Sequence, residues 1–207
     1  MSDKKVIINV GRQLGSGGRA IARMLADRFG CKYYDRELLN LAARESGFSE
    51  KFFEQNDEQK GFFKSLFHLN MPFVGSANFY SNEFSQESLF KFQSDAIRRA
   101  ADEASCVFVG RCADYILRDR TDKVDVFITA DLDYRAAQVA ARKGCDEDAA
   151  RKIIESGESS RASYYNYYTG KTWGHSASYD LCVNSSRLGL EGTADYIADF
   201  VRRRLGL

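Results

Sequence analysis

The sequence predicts an α/β fold, a doubly wound three-layer arrangement around a parallel sheet of about five strands. Three observations carry this. Five short apolar or aromatic runs recur along the chain, and each is separated from the next by helical or long polar sequence. Apolar residues in the first and last helical stretches recur four apart. One proline in 207 residues leaves little to interrupt long regular elements.

Residues 6–10 (VIINV) are β-branched, bounded by Gly11, and suit a strand buried on both faces. Residues 19–29 follow as a helix, with Ile21, Leu25 and Phe29 on one face and Gly30 as the stop. Residues 31–35 (CKYYD), 106–110 (CVFVG), 124–130 (VDVFITA) and 180–184 (DLCVN) supply four more strands. Ile197, Val201 and Leu205 mark a final helix, and Arg202, Arg203 and Arg204 at its C-terminus complement the helix dipole. Two stretches depart from the alternation. Residues 48–92 hold 11 of the 15 phenylalanines. That density fits a helical insertion with its own small core or a subunit interface, so a homodimer is worth testing by sedimentation; substrate contact is the other reading. Residues 142–178 are polar, Arg-bearing and Tyr-rich, as in a covering lid or a plain helical hairpin.

Hydrophobic residues at 44% and charged residues at 29% exclude a disordered or fibrous chain. Lys plus Arg is 30 against 29 Asp plus Glu, a net charge of +1. A surface for bulk nucleic acid would carry a basic excess, so any anion bound is small and held by a local cluster. No apolar run reaches the length of about 18 residues that spans a bilayer, and the first residues lack a signal-peptide pattern, which points to a cytoplasmic protein. Five cysteines, an odd number with no C-x-x-C pair, read as reduced and mostly buried thiols. His68 and His175 are the only histidines and lie far apart in sequence, which gives no support to a metal site.

The local feature richest in chemistry is VIINVGRQLGSGGRAIA: a strand, a loop with Gly11, Gly15, Gly17 and Gly18, then a helix start. Glycines let backbone N–H groups turn inward, and the helix N-terminus adds its dipole, so the loop favours an anion such as phosphate. Two motifs nearly match. Residues 15–20 satisfy G-x-G-x-x-[GA], with Asp35 about 20 residues on, as a dinucleotide-binding turn requires. The same loop also resembles the phosphate loop G-x-x-x-x-G-K-[ST]. Loop length favours the second, because Arg12, Gln13 and Leu14 intervene before Gly15, whereas the dinucleotide turn follows its strand almost directly. A tight turn with no ligand is the remaining alternative. On the phosphate-loop template Gly18 stands at the lysine position, Arg19 at the Ser/Thr position and Arg12 at the first glycine. Arg12 or Arg19 can supply the missing charge.

Taken in order, GSGGR (15–19), YYDRELL (33–39), FVGRCADYIL (108–117), VFITADLDYRAA (126–137), YYNYYTGKTWG (164–174) and YDLCVNSSRLGLE (179–191) resemble the cytidylate kinase-like family, divergent relatives of the bacterial cytidylate kinases. The resemblance covers about residues 5 to 204 and is thinnest over the Phe-rich stretch. It implies a single P-loop kinase-like domain over 1–207, with a monophosphate-binding insertion at 40–96 and an Arg-bearing lid at 142–178. It also implies ATP and Mg²⁺ as cofactors and a small nucleotide as substrate.

Residue by residue, Gly15, Ser16, Gly17, Gly18 and Arg19 match the phosphate loop, and Asp35 matches the acidic residue leaving the second strand on the acceptor side. Gly110-Arg111 resembles the start of the GRD segment that contacts the monophosphate, with Cys112 at its third position and Asp114 the nearest carboxylate. Arg161 matches the arginine of a D-x-x-R pattern whose acidic position is Glu158, and Gly157 stands where a further lid arginine is expected. Phosphoryl transfer needs positioning and charge neutralisation. Arg111, Arg142, Arg151 and Arg161 fall in or beside the proposed acceptor and lid regions. The tyrosines at 164–168 and Trp173 suit base stacking or packing of the lid equally. Three functions follow: a nucleoside monophosphate kinase, a nucleotide-binding regulator without catalysis, and a dinucleotide-dependent enzyme using Asp35 on a ribose.

Overall fold

β1 (Ile7–Arg12) is the central strand of a five-stranded sheet in the computed structural model, which describes residues 4–35 and 83–207. β2 (Lys32–Tyr34), β3 (Cys106–Val109), β4 (Lys123–Thr129) and β5 (Leu181–Asn184) complete it in the order β2-β3-β1-β4-β5, every pair parallel. The chain steps to one side of β1 for β2 and β3, then crosses to the other for β4 and β5. In such sheets ligands bind outside the carboxyl ends of the strands at the reversal, here between β1 and β3.

The chain divides into two compact units, residues 1–36 with 97–207, and residues 37–96. Of the second, the described residues are 83–96, the first part of helix α2 (Glu83–Glu103), where Ser94 Oγ donates to Phe90 O at 2.7 Å. The rest of the proposed insertion at 40–96, and most of the aromatic stretch 48–92 with His68, lie outside the described residues. Among the described residues, no helix is long and apolar enough to cross a membrane.

Side chains alternate along a strand, so each strand feeds two faces. Ile8, Val10, Val107, Val109, Val126 and Ile128 point one way, into a core closed by α1 (Gly18–Phe29) and α6 (Ser185–Leu205). Ile21 and Leu25 of α1 and Ile197 and Val201 of α6 are fully buried there, which is why their spacing is legible in the sequence. The opposite face of β1 and β4 carries polar and aromatic groups. Asn9 Nδ2 donates to Asp125 Oδ1 at 2.8 Å, and Phe127 packs against Trp173 and Tyr179.

Strand limits differ from the sequence reading by one or two residues, since register and not apolar character decides where pairing ends. A helical hairpin begins ahead of residues 142–178 and runs through them as far as residue 169. α4 (Leu132–Lys143) and α5 (Glu147–Thr169) pack through Ala136, Val139, Ala150 and Ile154, and Asp146 Oδ1 caps α5 by accepting from Ala149 N at 2.7 Å. A short helix, α3 (Ala113–Ile116), follows β3. The cysteines need a correction. All five are free, but only Cys106 and Cys112 are buried; Cys31 and Cys145 are partly covered, and Cys182 is exposed because β5 is an edge strand.

Candidate functional site

The loop between β1 and α1 is tied to the protein by its outward groups. Gln13 N donates to Ile128 O at 3.0 Å, Ser16 Oγ to Gln13 O at 3.0 Å, and Ser185 Oγ to Ser16 O at 2.7 Å. Leu14 N donates to Glu158 Oε1 at 3.3 Å. The amides of Gly15, Gly17, Gly18 and Arg19 have no acceptor among the described residues. A Cβ on Gly15 would lie 2.7 Å from Arg135 O, so a neighbouring helix presses directly on the loop backbone. Gly17 holds φ 72° as the N-cap of α1, a left-handed conformation that lets the loop turn into the helix. Free amides at a helix N-terminus form an anion cradle.

Beside this cradle lies a cavity of about 340 Å³ lined by four arginines: Arg12 from β1, Arg19 from α1, Arg111 after β3 and Arg161 from α5. None of the four forms an ion pair among the described residues, although charged surface groups elsewhere do. Burial lowers the pKa of Arg12, and the charges of Arg161, Arg19 and Arg111 lower it further. Burial likewise lowers Arg161; Glu158 opposes the shift, while Arg19, Arg142 and Arg111 reinforce it. Arg161 Nη1 is buried with no hydrogen-bond partner among the described residues. Like charges this close are unfavourable by themselves and become favourable around an anion of high charge.

Arg111 reaches the cavity from a strained backbone. Gly110, Arg111 and Cys112 have φ of 72°, 58° and 57°, three left-handed residues in succession, two of them carrying side chains. The Arg111 guanidinium lies over the Tyr164 ring, 5.0 Å from its centroid. Farther along the cavity Tyr165 Oη donates to Asp114 Oδ2 at 2.7 Å. Burial raises the pKa of Asp114, with this hydrogen bond opposing it. Cys112 is pushed up to about 12 by burial, an inert thiol. Tyr165, Tyr179 and Trp173 form aromatic walls around this end.

The structure gathers Arg12, Arg19, Arg111, Arg161 and Asp114 around one cavity. Asp35 sits just beyond β2, buried, with Tyr33 Oη donating to it at 3.5 Å, and is not among the cavity-lining residues. Glu158, expected at the substrate, is committed elsewhere: its Oε1 accepts from Arg135 Nη1 at 2.6 Å and from Leu14 N. Arg151 pairs with Asp133 at 2.6 Å, and Arg142 is exposed at the end of α4; neither lines the cavity. His175 is exposed and accepts from Ala177 N. Sequence reasoning missed Arg135, whose signal was its place one turn into the helix after VFITA. It also missed Asn9, the one polar residue inside VIINV, which is 3% exposed.

The cradle and arginines fit the phosphates of a nucleoside triphosphate. The loop offers Mg²⁺ less: Arg19 occupies the hydroxyl position, and Ser16 Oγ is engaged with Gln13 O. No group of three or more His, Cys, Asp or Glu suited to a metal occurs among the described residues.

A family model described as the cytidylate kinase-like family matches residues 7–187. A cytidylate kinase of Methanopyrus kandleri is 25% identical over 191 residues, covering 88% of this chain and 86% of its own. The crystal structure of an uncharacterized protein from Eubacterium ventriosum superposes with a TM-score of 0.72 at 27% identity, over 95% of this chain and 98% of that one. A shikimate kinase from Bacteroides thetaiotaomicron shares the fold at a TM-score of 0.52 and 12% identity, over 95% and 98% of the two chains.

Proposed function

The chain belongs to the cytidylate kinase-like family, and from that premise we propose that it is a nucleoside monophosphate kinase, transferring the γ-phosphoryl group of ATP to a small nucleotide acceptor. The observation that carries this is the convergence of Arg12, Arg19, Arg111 and Arg161 on one cavity beside the glycine loop, none of them in an ion pair among the described residues. Phosphoryl transfer asks a protein for positioning and for positive charge around the transferring group. Amides of Gly15, Gly17, Gly18 and Arg19 hold the donor phosphates. Arg111 orients the acceptor phosphate, an oxygen of which attacks the γ-phosphorus as the bond to the leaving β-phosphate oxygen breaks. Arg161 neutralises charge on the group in transit. Asp35 and Asp114 belong to the acceptor side, and the aromatic walls near Asp114 suit a flat base.

A pyrimidine monophosphate is the first acceptor to try. Purified protein incubated with ATP and a panel of monophosphates should form ADP and the matching diphosphate. Measurable ATP binding with no turnover above a no-enzyme control would refute the kinase and favour a non-catalytic nucleotide-binding regulator, whose support is Arg19 at the loop hydroxyl position. The dinucleotide alternative has less support, because β1 runs on to Arg12 and Gln13 and Leu14 follow before Gly15. Self-association through the aromatic stretch stays a proposal for sedimentation to test.

A further inference from the structure

The phosphate loop lacks a lysine at position 18, and the space above Gly18 is already taken. A Cβ built on Gly18 would lie 2.6 Å from Arg12 Cβ and 2.9 Å from its Cγ. Gly18 is the first residue of α1 and has no left-handed φ, so the backbone there does not require glycine. What demands it is room for the neighbouring side chain. Farther out, a Cβ on Gly110 would overlap Arg12 Nη1. The Arg12 stem therefore crosses Gly18, its head crosses Gly110, and it lines the cavity between the loop and the end of β3.

We propose that Arg12 and Gly18 are a reciprocal exchange within the phosphate loop: Arg12, rising from the first-glycine position, supplies the donor-phosphate cation that position 18 no longer carries, and Gly18 is kept side-chain-free so that it can. The assignment rests on the phosphate-binding role proposed above. It decides between the two arginines that the sequence left open. Arg19 is exposed on the first turn of α1, whereas Arg12 is held between two glycines with its guanidinium among those of Arg19, Arg111 and Arg161. Arg12 has no hydrogen bond or ion pair among the described residues. A guanidinium so placed, with no such partner among the described residues, is a group set for a ligand oxyanion.

The test uses tripolyphosphate and ATP as probes, titrated calorimetrically into the full chain, with thermal unfolding of each variant recorded alongside. Arg12→Gln keeps much of the stem and removes the charge. It should bind tripolyphosphate about tenfold or more weakly, with a melting temperature no lower than wild type because like-charge repulsion is relieved. Gly18→Lys alone should lose both stability and affinity. Arg12→Gly with Gly18→Lys should recover both, returning affinity to within about threefold of wild type. Unchanged affinity in Arg12→Gln, or a double variant no better than Gly18→Lys, would overturn the exchange while leaving the wild type a phosphate binder. Failure of the wild type to bind either probe would overturn the proposed function and the exchange with it.

Discussion

Arg135 Nη1 donates to Glu158 Oε1 at 2.6 Å, and the same oxygen accepts from Leu14 N of the glycine loop. Arg135 Nε is in turn bonded to Ala130 O at 2.9 Å. One carboxylate thus joins α4, α5 and the phosphate loop, three residues before Arg161 on the same helix. At Gly157 the helix comes so close that a Cβ would lie 3.0 Å from Leu14 Cδ2. Arg161 is carried on a helix already fastened to the loop.

Glu158→Gln leaves a charge on Arg135, whose side chain is 8% exposed, without its counter-ion. Equilibrium denaturation should show a loss of about 2–3 kcal/mol, below the full cost of breaking a deeply buried pair because Glu158 is partly solvated. Tripolyphosphate affinity should fall as well, since the Leu14 amide then has a weaker acceptor. An unchanged unfolding midpoint would deny Glu158 this fastening role.

Arg111 stores backbone strain for the sake of its guanidinium. Arg111→Gly should stabilise the folded chain by about 1 kcal/mol by relieving the left-handed cost, partly offset by the lost contact with Tyr164. The melting temperature should rise by about 2–4 °C. Acceptor binding should weaken by about tenfold or more at the same time. A variant less stable than wild type would show that the backbone there is not strained.

Arg161→Ala should reduce turnover about a hundredfold or more while ATP affinity changes by less than about threefold. Its stability should not fall much, because one of four crowded cations has been removed. Equal losses in turnover and ATP affinity would remove Arg161 from the transferring group.

Asp114 gives the site a pH signature. Its pKa is raised in the folded protein, so between the unfolded value and the folded one the native state holds the extra proton. Stability from this group is greatest in acid and declines as pH rises above the ordinary carboxyl range towards the raised folded value. Wild type minus Asp114→Asn should therefore show a difference in unfolding free energy that falls as pH increases through that window. A difference that rises with pH would reverse the sign of the shift.

The strands and the first and last helices were legible because each buries an apolar stripe, and burial at fixed spacing is what a sequence displays: Val107 and Val109 on β3, Ile197 and Val201 on α6. The hairpin of α4 and α5 is harder to read because its packing seam is narrow, Ala136, Val139, Ala150 and Ile154, and most other positions on the two helices are polar. At the site, the glycines announced the loop, but spacing could not tell Arg12 from Arg19. That distinction lies in which side chain fills the space above Gly18, a three-dimensional property. Glu158 matched a motif position, yet its nearest charge is Arg135, more than twenty residues earlier and adjacent only through the hairpin. Asn9 paired with Asp125 depends on parallel register between strands far apart in sequence.

Phosphorus NMR of the protein mixed with ATP and cytidine monophosphate, and with other monophosphates in parallel, tests phosphoryl transfer most directly. The expected result is loss of the ATP signals with matched growth of two sets of diphosphate resonances, ADP and the new nucleoside diphosphate, slowed about a hundredfold or more in Arg161→Ala. ADP with inorganic phosphate alone, or spectra unchanged for every acceptor under conditions where ATP binding is measured, would contradict it.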